Sequence, residues 1–111
     1  MTEERLLWFL DLVDRARQGD AAAKDIFLVI LETERRPVIL SKLSDGDVRP
    51  VDRLDAHHDV IVKIHKTIQR LQVTRAYFRY EDRIIKDVCR KWRRGYWSLG
   101  ESLETVQQTS I

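Results

Sequence analysis

An all-α fold, a small bundle of four or five helices, is predicted by three observations. Apolar side chains recur at steps of three and four residues along most of the chain. Both prolines, Pro37 and Pro50, and the glycines Gly19 and Gly46 stand between these periodic stretches. From Arg53 to Arg94 there is neither glycine nor proline, and this region reads as a long amphipathic helical hairpin or coiled coil. At 111 residues the chain makes one domain and is short for two.

The first helix starts at Thr2, whose hydroxyl suits an N-cap, and Glu3 and Glu4 suit the positive end of the helix dipole. Leu6, Phe9, Leu10, Leu12, Val13 and Ala16 form its apolar stripe, and Gly19 is its stop. Leu7 and Trp8 lie outside that stripe. Asp20 caps a second helix, Ala21 to about Arg35, closing an N-terminal hairpin over residues 1–36. Its run Ile26–Leu31 is apolar all round, which predicts a central helix covered on several sides. Pro37 ends it, and Val38-Ile39-Leu40 follows as a short extended segment or as a brief helix begun by the proline. Ser44-Asp45-Gly46-Asp47-Val48-Arg49-Pro50 is turn chemistry, so residues 44–52 are expected to be a loop.

Residues 53–95 are the basic amphipathic region. Val60, Ile61, Ile64, Ile68 and Leu71 form one apolar face, opposite Lys63, Lys66 and Arg70. Phe78, Ile85, Val88 and Trp92 form a second, with Ile84 and Tyr77 flanking. The second face is rotated by about 100° from the first, more than a continuous coiled-coil stripe would drift, which favours a break near Val73-Thr74. Residues 96–111 are read as a tail, with a short helix possible over Ser98–Val106.

Charge is distributed unevenly. Residues 1–60 hold 9 Lys and Arg against 13 Asp and Glu, a net −4; residues 61–111 hold 11 against 5, a net +6. Within the basic half, Arg75, Arg79, Arg83, Lys86, Arg90, Arg93 and Arg94 recur at helical spacing. Arg75, Arg79, Arg83, Lys86, Arg90 and Arg94 fall in an arc of about 100°, opposite the apolar face. Arginine forks match phosphate oxygens bidentately, and counterion release supplies affinity. Asp82 and Asp87 flank the arc. Trp92, Tyr96 and Trp97 adjoin it; Trp92 belongs to the apolar side, whereas Tyr96 and Trp97 could stack on bases or anchor a protein interface.

Other polar residues read as structural. Glu81 falls on the apolar arc and requires an arginine from elsewhere in the fold. His57, His58 and His65 lack the i, i+4 spacing of a zinc-gripping pair. Cys89 lies between the apolar and basic arcs, where arginines could lower its pKa, but no histidine base accompanies it. No cofactor, metal site or enzymatic motif is indicated. One cysteine excludes an internal disulfide and points to a reducing, cytoplasmic setting. The acidic N-terminus has the wrong charge for a secretory leader. The run Ile26–Leu31 is far shorter than the roughly 20 residues of a membrane span.

Leu12-Val13-Asp14-Arg15-Ala16-Arg17-Gln18-Gly19-Asp20-Ala21-Ala22-Ala23 resembles the opening of region 2 of extracytoplasmic-function sigma factors over 12 of the 111 residues. The aromatic and acidic segments that follow in that family are absent, and the same pattern arises wherever two helices meet at a tight turn, so no family is assigned.

The expectation is therefore a non-enzymatic nucleic-acid-binding protein of the regulatory or mobile-element kind, which contacts phosphates through its basic helix face; Leu7, Trp8 and the apolar C-terminal half suggest a homo-oligomer, by default a symmetric homodimer. The alternative is an adaptor or inhibitor whose basic helix docks an acidic protein surface.

Overall fold

In a computed structural model, which describes the backbone over residues 1–110 and side chains over residues 1–93, the chain forms five α-helices and, among the described residues, no strand. They are α1 (Glu3–Arg17), α2 (Ala21–Glu32), α3 (Arg36–Asp45), α4 (Arg53–Thr67) and α5 (Tyr77–Ser110). Short 3₁₀ turns occupy Pro50–Asp52, Ile68–Arg70 and Thr74–Ala76. No helix among the described residues is long and apolar enough to cross a membrane.

The local rules act where the sequence places them. Thr2 accepts a hydrogen bond from the Arg5 amide, and Asp20 accepts one from the Ala23 amide. Gly19, at φ 94°, adopts the left-handed conformation that reverses the chain between α1 and α2. An ion pair between Arg5 and Glu34 ties the far end of the α1–α2 hairpin.

Four aromatic rings centre the core. Phe9 of α1 lies 5.9 Å from Phe27 of α2, and the Tyr77 ring sits edge-on to both at 5.3 and 5.6 Å. Phe78 completes the group, 5.9 Å from Phe9. Edge-to-face packing sets the positive ring edge against a negative ring face. Tyr77, expected at the flank, is fully buried at this junction, whereas Phe78 and Trp92 are only partly buried. The reason is positional: Tyr77 opens α5 between the α1–α2 hairpin and the rest of the bundle.

Three further expectations are corrected. The second helix stops at Glu32, three residues early and not at Pro37; of the two alternatives for Val38-Ile39-Leu40 the helix forms, with Pro37 in the first turn of α3, where a missing N–H costs nothing. The loop assigned to 44–52 is shorter, because α3 runs to Asp45 and Pro50–Asp52 is a 3₁₀ turn leading into α4. Finally, α2 is not covered on all sides: Phe27, Ile30 and Leu31 are buried, but Ile26 and Val29 are 47% and 57% exposed. Six consecutive apolar residues surround a helix, and only one flank of α2 meets other elements.

The long basic region is broken, with the chain leaving α4 at Thr67 and entering α5 at Tyr77. Thr74 anchors the connection to α1: its hydroxyl donates to Asp14 and accepts from Arg17 Nε, both at 2.8 Å. Thr67 meets Tyr80, Lys63 meets Asp87 and Asp59 meets Trp92, so α4 and this part of α5 run in opposite directions. The helix α5 passes through Gly95, where a tail was expected to begin; a glycine weakens a helix by about 1 kcal/mol without ending it.

Candidate functional site

The basic residues lie on the outer side of α5. Its inner side, Ile84, Ile85 and Val88, is pinned to the bundle by apolar burial. Helical geometry then turns Arg79, Arg83, Lys86 and Arg90 outward, and all four are exposed, as are Arg75 in the preceding turn and Arg93. From Arg79 to Arg93 the ridge extends about 21 Å at the helical rise. Arg94 belongs to the same arc and Tyr96 and Trp97 adjoin it in sequence, but their side chains lie outside the described residues.

What distinguishes this ridge is the fate of its acidic flanks. Asp82 is ion-paired with Lys42 of α3, and Asp87 with Lys63 of α4 at 3.6 Å. Both carboxylates turn sideways toward neighbouring helices. Arg90 is within 3.6 Å of Asp87, a loose contact between exposed groups. Arg75, Arg79, Arg83, Lys86 and Arg93 form no ion pair or hydrogen bond among the described side chains. The bundle thus neutralises the acids beside the ridge and leaves its cations available.

Two open clefts border the ridge. One, of about 380 Å³, lies between the end of α3 and α5; Lys42, Asp45, Gly46, Asp82, Ile85, Lys86, Cys89 and Arg93 line it. The other, of about 410 Å³, lies against α4 and is lined by Asp59, Val62, Lys63, Lys66, Asp87, Val88 and Lys91. Of the lysines in these clefts, Lys42, Lys63 and Lys91 are ion-paired with Asp82, Asp87 and Asp59, which leaves Lys66 to add to the cationic surface. Sequence reading along one helix misses Lys42 and Lys63 as neighbours of α5, since only tertiary packing brings α3 and α4 beside it.

Gly46 sets the first cleft. A Cβ added there would lie 2.4 Å from Cys89 Sγ, so only glycine lets the end of α3 approach α5 this closely. The left-handed residue of the turn is its neighbour Asp47, at φ 65°. Burial raises the Cys89 thiol above its ordinary pKa, against the opposing influence of Arg93. Loss of solvent outweighs the arginine, and Cys89 is a packed thiol, the reading its sequence setting favours over a nucleophile.

The remaining polar groups serve the fold. Glu81 is fully buried and ion-paired with Arg35, which follows α2, and it accepts a 2.6 Å hydrogen bond from the Tyr77 hydroxyl. The Arg35 guanidinium also lies 5.1 Å from the Phe78 ring centre. This is the arginine that the position of Glu81 demanded. Trp92 donates to Asp59 at 2.9 Å, which fixes its ring against α4. His57 is buried on α4, with Nε2 3.3 Å from the Leu31 carbonyl. Among the described residues, no three of His, Cys, Asp and Glu gather closely enough to hold a metal ion.

No protein-family model, curated protein or solved structure matches the chain. The functional reading therefore rests on the geometry and charge of the ridge.

Proposed function

We propose that this protein binds nucleic acid without catalysing a reaction, using the outer face of α5 to track phosphates in a regulatory or mobile-element setting. The observation that carries the reading is the asymmetry of pairing on α5. Asp82 and Asp87 are engaged by lysines of other helices, while Arg75, Arg79, Arg83, Lys86 and Arg93 find no acid among the described side chains. An ordinary solvated helix face mixes both signs and pairs them locally. A ridge of exposed arginine forks suits a polyanion whose charges repeat along a line. Tyr96 and Trp97 follow the ridge in sequence and are assigned to stacking or anchoring.

The same guanidinium groups would serve the alternative, docking to an acidic protein surface, and the test separates the two. Labelled single-stranded and duplex oligonucleotides are titrated with the wild-type protein and with the Arg83→Glu, Arg90→Glu double variant, following fluorescence anisotropy at low salt. Both residues are exposed, so the variant is expected to give the circular-dichroism spectrum of the wild type, which is checked first. The reading expects binding by the wild type and a loss of at least about tenfold in the variant. Absence of binding by the wild type to every oligonucleotide refutes it, and recovery of one acidic protein by the wild type alone then establishes the alternative.

We further infer a homodimer. Leu7, Trp8, Ile26 and Val29 leave apolar surface exposed on the α1–α2 hairpin, with Leu7 at 62%. A cytoplasmic location fits the single unpaired Cys89.

A further inference from the structure

The apolar face of α5 outruns the helices that cover it. Ile84, Ile85 and Val88 are buried, and Trp92 is fixed to Asp59 of α4. Tyr96, Leu99, Leu103 and Val106 continue this face of the helix in steps of three and four residues, and Glu101, Glu104 and Gln108 fall opposite. The covering helices stop sooner. The end of α3 lies against Cys89, where Gly46 meets it. The helix α4 starts at Arg53 and runs antiparallel to α5, with Lys63 beside Asp87 and Asp59 beside Trp92. Arg53 precedes Asp59 by about six residues, so it is level with about residue 98 of α5. From there α5 runs about 18 Å further, to Ser110. The molecule is drawn out accordingly, to 62 Å against 25 and 20 Å across. Val51 and Leu54, at the end of the bundle where α5 leaves it, are 76% and 58% exposed.

We propose that a second copy of this chain covers the stripe, the two α5 segments packing antiparallel over residues 98–110. The direction follows from the side on which the stripe lies. That side is occupied by α4, so a parallel copy would run through the α4 of its partner. An antiparallel copy instead sets its segment in line with α4, as the next antiparallel helix against the same face, at the end where Val51 and Leu54 are exposed. The occupant follows from charge. Residues flanking a helix seam select the partner by their charges, and here Gly95, Gly100, Ser102, Gln107 and Thr109 are all neutral. Identical copies meet along them without like-charge repulsion, and no oppositely charged partner is selected. The seam lies on the other side of α5 from the cationic ridge, so pairing leaves both ridges open to phosphates. The inference rests on the homodimer reading and names its interface.

The test follows mass against concentration by analytical ultracentrifugation, without nucleic acid. A seam of a few apolar residues per copy is smaller than the standard interface of about 1,600 Å², so the wild type is expected to pass from monomer to dimer in the micromolar range. Leu103→Glu, Val106→Glu sets charge in the seam and is expected to raise the dissociation constant at least about tenfold. Leu103→Ala, Val106→Ala, which keeps helix propensity, is expected to act in the same direction if the charged variant fails to fold. Leu7→Glu, Ile26→Glu on the α1–α2 hairpin is expected to leave the constant within about twofold. Spin labels at Arg90→Cys in Cys89→Ala protein are expected about 40 Å apart in the dimer, from about 14 residues of helical rise on each side of a seam centred near residue 104. A separation of about 20 Å overturns the antiparallel seam. A dimer dissociated by the hairpin variant and not by the seam variants overturns this interface and leaves the homodimer standing. A wild type that stays monomeric at every concentration overturns both.

Discussion

Arg35 and Glu81 show how one sequence anomaly is resolved inside the core. A carboxylate on an apolar arc is expensive unless it is paired, and the structure supplies both a guanidinium and the Tyr77 hydroxyl. Arg35→Met should therefore cost about 3–5 kcal/mol in urea denaturation, because it strands a buried charge. Adding Glu81→Gln removes that charge and keeps an acceptor for Tyr77, so most of the loss should be recovered. Equal instability of the single and double variants would show that the pair contributes packing alone. His57 gives a second test at this scale. Burial holds its imidazole below its ordinary pKa, against the Leu31 carbonyl, which favours the proton. Below about pH 6.5 the unfolded chain takes up a proton that the native state resists, so native stability falls as pH drops toward the lower, native pKa. The Asp14 and Glu34 carboxylates, held below their ordinary values by the Thr74 and Arg5 hydrogen bonds, lose their contribution only at more acidic pH. Comparing urea midpoints at about pH 7.5 and about pH 5.5, the wild type should lose stability and His57→Gln should lose distinctly less.

The helices obey rules that are visible locally, and their exceptions come from contacts that are not. Thr2, Asp20 and Gly19 announce the α1–α2 hairpin, and their caps and turn conformation are those the residue types dictate. The break between α4 and α5 is also legible, in the rotation of the apolar face near Thr74. The exposed flank of α2 is not, because a wholly apolar segment carries no record of which side lacks a neighbour. Nor is the length of α3: Asp45 and Gly46 are turn residues by type, yet the helix reaches Asp45 and Gly46 follows as its cap. The role of Gly46 is spatial, and sequence shows only its conformational freedom. Gly46→Ala should destabilise the protein by about 1–3 kcal/mol, since the new methyl group meets Cys89 Sγ. Cys89→Ala in that background removes the sulfur and should recover part of the loss. A neutral Gly46→Ala in thermal denaturation would mean that α3 and α5 separate easily at this point.

At the scale of the whole molecule, ion pairs such as Lys91–Asp59 and Lys42–Asp82 join the acidic half to the basic half, and Arg75, Arg79, Arg83, Lys86 and Arg93 stay outside them among the described residues. The basic arc was readable in the sequence as residue spacing. Its isolation from acids among the described residues, Arg90 beside Asp87 excepted, was not, because Lys42 and Lys63 lie far from Asp82 and Asp87 in the chain. That isolation is the central claim, and the salt dependence of binding tests it most directly. Affinity for a labelled oligonucleotide, measured by anisotropy across a range of salt concentrations, should fall linearly on logarithmic axes. With about five free cations engaging phosphates, the slope should be near −3.5 for a single strand or near −4.5 for a duplex, and Arg83→Glu, Arg90→Glu should make it shallower. A slope near zero, or one that the double variant leaves unchanged, would contradict a phosphate-tracking ridge on α5.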